Sequence, residues 1–333
     1  MATSSAYLDA VGRDLWARDV FTFIPDRDLP PPTDTVTPGS GPRVAFAGFP
    51  SDFSLAFLLR LLQLDVQPVG IITSPGAHPA ILGDNALSRI ADHLGIPLIR
   101  AWRINDEHSR FELEELGVDA VVMASFDQIV GARALAIPKH GWLNVHPSLL
   151  PAYRGPEPVY WAIADGVAVT GISMHKAVAK VDSGPILAQA QVPILPGDTA
   201  GTLTRRLVEA GMRLLPQAVD GLLHDAPGVA LDMATSSYRT SIGHRSLDEA
   251  GSAEEAERMV RAGTPNMLPW VMRDGRAVYV RAARVANGAS EDGVPVMHFP
   301  AGDLVLLETM DTCGCHHNTN DCAHRRSQTV TGR

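Results

Sequence analysis

Three residues of the right types stand close enough to do chemistry. Asn144 and His146 lie two apart in Asn144-Val145-His146-Pro147-Ser148-Leu149-Leu150-Pro151-Ala152-Tyr153-Arg154-Gly155, and Asp182 follows in Val181-Asp182-Ser183-Gly184-Pro185. Side chains two apart on a strand point the same way. An amide and an imidazole leaving a strand together would therefore converge on one spot beyond its carboxyl end. Pro147 and Pro151 stiffen the exit, and Gly155 permits a tight turn. An amide can donate to a developing oxyanion, an imidazole can move a proton near neutral pH, and a carboxylate from a second loop can tune it. That set suits acyl transfer. Each member also has an ordinary alternative: a structural histidine, a strand-end cap, a turn aspartate in Asp-Ser-Gly-Pro. His175 reads as core or wall.

The elements that must hold these residues form an alternating series. Apolar runs at 43–47, 69–73, 96–99, 120–124 and 142–145 read as strands, and 53–64 and 85–94 as helices between them. Nearly continuous apolar strands alternating with helices indicate a mostly parallel sheet covered on both faces, a Rossmann-like α/β fold. Sites in such sheets lie beyond the carboxyl ends of the strands, where Asn144 and His146 emerge. A helix at 158–164, strands at 171–175 and 186–192, and a helix over 199–223 complete this domain. The expected division is an amino-terminal extension and linker at 1–41, a catalytic domain at 42–225 and a small α+β or β-rich carboxyl-terminal domain at 226–333. In the extension, Tyr7, Val11, Leu15 and Trp16 line one face of a short helix. The arm either packs on its own domain or meets a second subunit, which leaves a homodimer open.

The stretch from Asn144 to Pro185 resembles the formyltetrahydrofolate-dependent formyltransferase family, whose signature is Asn-x-His-Pro-Ser-Leu-Leu-Pro with a downstream Asp-x-Gly-Pro. The resemblance is strongest there and extends more weakly from Arg43 to the early two hundreds. It implies catalysis by Asn144, His146 and Asp182. It also implies a formyltetrahydrofolate donor, its pterin held by backbone at Phe126, Gln128, Ile129, Val130, Ala179, Val181 and Asp182. Ser148, Tyr153 and Arg154 are the expected acceptor-side contacts, Arg154 either binding a substrate anion or pairing with a carboxylate. Family members acting on tRNA carry a basic insert after the second strand, whereas Ser74–Gly83 here contains no lysine or arginine. The expected acceptor is therefore a small primary amine or hydroxylamine. The alternatives are methionyl-tRNA, water (a formyltetrahydrofolate hydrolase), or a folate- or metal-sensing binding protein without turnover.

Composition bounds the rest. A net charge of −9 argues against a broad nucleic-acid surface, and 45% hydrophobic residues in 333 can fill a large core. The longest apolar runs are too short to span a bilayer, and no secretory signal opens the chain, so a cytoplasmic protein is expected. The first βα turn, Gly48-Phe49-Pro50-Ser51-Asp52, lacks the glycine triplet of a dinucleotide site. Gly171-Ile172-Ser173-Met174-His175 lacks the second glycine of a nucleophile elbow. All three cysteines, Cys313, Cys315 and Cys322, crowd the tail with His316, His317 and His324. Such spacing can ligate a structural zinc through Cys313, Cys315, Cys322 and His324, with His316 and His317 as alternatives; a plain tail is the other reading.

Overall fold

The computed structural model describes residue 3 and residues 5–22, 39–74, 85–286 and 294–311. It divides into two compact units. The first comprises 1–154, 171–192 and 204–238, the second 155–170, 193–203 and 239–333. The division differs from the sequence expectation. The first unit runs on to Tyr238, and 155–170 and 193–203 group with the carboxyl-terminal residues. Helix Pro158–Ala164 explains part of this, because Arg258 donates from Nε to the Ala164 carbonyl at 3.0 Å.

In the first unit, β1 (Arg43–Gly48) lies between β2 (Gln67–Thr73) and β4 (Ala120–Ala124), parallel to both. β3 (Leu98–Arg100) extends one edge beyond β2, and β5 (Trp142–His146) runs parallel beside β4. Then β6 (Val169–Lys176) pairs antiparallel with β5, and β7 (Ile186–Pro193) completes the order β3-β2-β1-β4-β5-β6-β7. The reversal at β6 was not legible in the sequence, and it sets His175 directly opposite Asn144. The interiors of β1, β2, β4 and β6 are buried on both faces, as their apolar runs require.

Helices follow their caps. Ser5 opens α1 (Ala6–Trp16), whose Tyr7, Leu8, Val11 and Leu15 are buried. Phe21 is buried beyond it, and Thr22 donates its backbone N–H to Asp52 Oδ2 at 2.8 Å, so this arm packs on its own unit. Ser51 caps α2 (Asp52–Leu62), and Asn85 forms a capping box on α3 (Ala86–Leu94). α4 (Glu107–Glu115) was not anticipated: only Ser109 and Leu113 are buried in a charged segment, leaving little periodicity to read.

The second unit carries an antiparallel sheet ordered β10-β11-β9-β8, from β8 (Trp270–Arg273), β9 (Arg276–Val285), β10 (Val296–His298) and β11 (Asp303–Met310). Helix Ala253–Gly263 buries Ala256, Met259 and Val260 against Val271, Val280 and Leu304. This agrees with the expected small mixed domain.

Candidate active site

β5 delivers Asn144 and His146 at its carboxyl end, and the loop after β6 brings Asp182 to them. Asn144 donates from Nδ2 to Asp182 Oδ1 at 3.1 Å. The same amide nitrogen stands 3.1 Å from His175 Nε2. His175 Nδ1 lies 3.0 Å from the Lys176 carbonyl, which can only accept, so that nitrogen carries a proton, and Nε2 faces the Asn144 amide and, at 3.5 Å, Asp182 Oδ1. His146 Nε2 is 2.9 Å from the Tyr153 carbonyl, and by the same logic holds the proton there. Its lone pair is then on Nδ1, 3.7 Å from Asp182 Oδ2. The four side chains form one cluster, Asn144 half-buried and the others buried, with His146 at 6%, His175 at 1% and Asp182 at 9% exposure.

Burial holds His146 below the usual histidine value. The Asp182 carboxylate and the bond to Tyr153 pull it upward, while His175 and Arg154 push it further down. A neutral imidazole with a lone pair beside a carboxylate is a competent base, and its cation once formed has a negative partner.

The loops are held in unusual backbone. Ser125, Tyr153 and Asp182 have φ of 51°, 55° and 46°, a region non-glycine residues avoid, and all three lie at the sheet's carboxyl end or on loops meeting it. Gly184 is required by close approach, since a Cβ there would sit 1.8 Å from the Lys176 carbonyl oxygen. Ser148 is fully buried, and its hydroxyl donates to the Ala152 carbonyl at 2.8 Å. It shapes the loop and presents no surface to an acceptor, which corrects its expected role. Arg154 is also buried: Nε and Nη2 donate to the Val181 carbonyl at 3.0 and 2.8 Å, and Nη1 to Ser236 Oγ at 3.0 Å. None of these partners is a carboxylate. Tyr153 contributes its carbonyl to His146.

The segment expected to hold the pterin leaves β4 beside β5, Met123 facing Asn144. Gln128 bridges away from it, accepting from Ile104 N–H and donating to the Ala101 carbonyl, both at 2.7 Å. Val130 is buried in the core, so it cannot cover a ligand's face, contrary to expectation. Ile129, at 65% exposure, can, and Phe126 is half-buried on the same core cluster as Ala177. Ala179 is exposed and Val181 half-buried with its carbonyl on Arg154. Ile129 and Val178 are exposed apolar side chains. Sequence reasoning missed Asn105, which bonds the Ile129 carbonyl and the Gly131 N–H, and the segment Ser236–Tyr238. Neither carries a pattern that marks it out.

Cys313, Cys315, Cys322, His316, His317 and His324 lie outside the described residues. Among the described residues no group of three or more histidine, cysteine, aspartate or glutamate side chains is placed to hold a metal ion, and no helix is long and apolar enough to cross a membrane.

A mostly parallel sheet with a half-buried amide and a buried imidazole and carboxylate at its carboxyl end defines an acid–base enzyme of Rossmann-like architecture. Comparison with known proteins narrows that class. The Formyl transferase family profile matches residues 70–219. Methionyl-tRNA formyltransferase of Acidothermus cellulolyticus is 33% identical over 266 residues, spanning 75% of this chain and 81% of that protein. The enzyme of the same description from Roseiflexus castenholzii is 33% identical over 292 residues, 82% of this chain and 92% of its own. Among solved structures, a sugar N-formyltransferase from Shewanella sp. FDAARGOS_354 superposes with a TM-score of 0.57 at 23% identity, covering 72% of this chain and 96% of that one. An N-formyltransferase from Helicobacter canadensis, solved with folinic acid and dTDP-3-aminofucose, gives 0.60 at 17% identity, covering 81% and 100%. The chain belongs to the formyl transferase family and is a formyl-transferring enzyme.

Proposed function

We propose that the enzyme takes its formyl group from formyltetrahydrofolate and passes it to the α-amine of methionyl-tRNA through Asn144, His146 and Asp182. The observation that carries the chemistry is the buried cluster in which a neutral His146 turns Nδ1 toward Asp182. The donor supplies an activated formyl carbon on nitrogen, bound against Phe126, Ile129 and the 177–182 loop. As the amine attacks that carbon, His146 Nδ1 takes the amine proton and Asp182 stabilises the resulting imidazolium. Asn144 turns one amide hydrogen from its resting partner to the oxyanion, which replaces that bond. When the carbon–nitrogen bond to the donor breaks, the proton on His146 goes to the departing nitrogen. The cluster is thereby restored.

Support for methionyl-tRNA as acceptor comes from the relatives, one of which matches 82% of this chain, a span that cannot end before about residue 273 and so reaches into the carboxyl-terminal residues of the second unit. A second reading, a small primary amine or hydroxylamine, is favoured by one observation: Ser74–Gly83 has no lysine or arginine in a chain of net charge −9. The test offers both acceptors with formyltetrahydrofolate. The first reading expects formyl-methionyl-tRNA as the main product. Efficient formylation of small amines with tRNA untouched overturns it in favour of the second, and free formate alone would assign a hydrolase.

A further inference from the structure

We propose that Arg154 is a positioning residue that sets Asp182 against His146. Val181, whose carbonyl takes two of its N–H groups, immediately precedes Asp182, so this forked grip pins the peptide from which the carboxylate projects. Asp182 is held at φ 46°, a conformation that needs outside support. Each guanidinium nitrogen already donates within the protein, two to Val181 and one to Ser236, so none is left unengaged for a substrate anion.

A strap from 236 to 238 completes the device. Ser237 accepts from Arg154 N–H at 3.0 Å through its carbonyl and from Tyr153 N–H at 2.8 Å through its hydroxyl. Its own N–H donates to the Pro151 carbonyl at 3.2 Å, and the Tyr238 ring lies 5.7 Å from the Arg154 guanidinium carbon. Both groups that hold His146 are therefore held in turn. The strap fixes Tyr153, whose carbonyl receives Nε2–H, and Arg154 fixes the loop whose Asp182 faces Nδ1.

The kinetic part of the test rests on the formyl-transfer reading; the spectroscopic part does not. The tautomer and titration of His146 are read by imidazole NMR in wild type, Arg154→Met, Arg154→Lys and Ser236→Ala. Losing the cation alone would raise the His146 pKa, because Arg154 lowers it directly. Losing the apposed Asp182 would lower it, because that carboxylate raises it. The positioning role expects a downward movement in Arg154→Met and also in Arg154→Lys, which keeps the charge but not the fork. It expects kcat to fall on the order of ten- to a hundredfold with KM for both substrates little changed. Ser236→Ala, a smaller perturbation that leaves the Val181 grip, should move both readouts in the same direction by less, and it decides the matter if the Arg154 variants do not fold. An upward or absent pKa movement with kcat intact, or a rise in KM alone, overturns the proposal. If wild type transfers formyl to no amine, the functional reading fails while the NMR comparison still decides the role of Arg154.

Discussion

Replacing Asp182 by Asn removes one charge and almost no volume. Asp182 Oδ2 stands 3.7 Å from His146 Nδ1, and Oδ1 accepts from Asn144 at 3.1 Å. An asparagine can keep the second contact by turning its carbonyl oxygen to Asn144, and its NH2 then faces His146. The resting fold should therefore survive, because His146 is neutral there and has no charge to lose a partner. The cost falls on the step in which the imidazolium forms. At an effective dielectric constant of about 20, two unit charges at this separation attract by about 4 kcal/mol. That corresponds to about a thousandfold in rate, and an NH2 pointed at the Nδ1 lone pair adds to the loss by occupying the base. The assay is steady-state release of tetrahydrofolate in the presence of acceptor, with KM for each substrate determined separately. The expected result is kcat down by about three orders of magnitude, KM within a few-fold, and an unchanged melting temperature near pH 7. A variant within tenfold of wild-type kcat would refute the reasoning, since a charge at this distance in a buried site cannot be silent if the imidazolium lies on the path.

The depressed pKa of His146 predicts that kcat/KM holds steady below pH 6.5, falling only at more acid values, in a pH–rate profile; a limb at or above 6.5 would contradict it. The same depression means the unfolded chain binds a proton more readily, so stability from this group is complete above 6.5 and lost as pH falls through the folded value; His146→Gln should flatten that acid slope in thermal melts. Glu157 has the opposite sign: burial pushes its carboxyl up to about 7 from 4.5, so its favourable protonated form is complete below 4.5 and lost as pH rises through 7. Glu157→Gln should therefore stabilise the protein at pH 8 by about 1–3 kcal/mol, less than the full shift because the side chain keeps some surface, and leave it unchanged at pH 4.5. Gly184→Ala, whose Cβ would sit 1.8 Å from the Lys176 oxygen, should cost about 2–4 kcal/mol in urea unfolding and lower kcat by moving the Asp182 loop.

The strands could be read because they are short apolar runs bounded by turn residues, and strand 120–124, like helix 158–164, matches the structure residue for residue. Asn144 and His146 were legible for the same reason, as alternate residues on one strand end. His175 was not, because its place beside Asn144 depends on β6 running antiparallel, and a run of Gly-Ile-Ser-Met-His has the same period in either direction. Arg154 could be singled out but not assigned, since its partners are a carbonyl and a hydroxyl from distant segments. The Ser236–Tyr238 strap and Asn105 act through backbone bonds that leave no periodic trace. Helix 107–115 escaped because its surface is charged on nearly every side.

The most direct test follows an isotopically labelled formyl group from formyltetrahydrofolate in a single turnover with excess enzyme, comparing wild type with His146→Asn. Label appearing on the acceptor amine with wild type, and at least about a thousandfold more slowly with His146→Asn, is the predicted result. Transfer by the variant at an undiminished rate would contradict the assignment of His146 as the group that moves the proton.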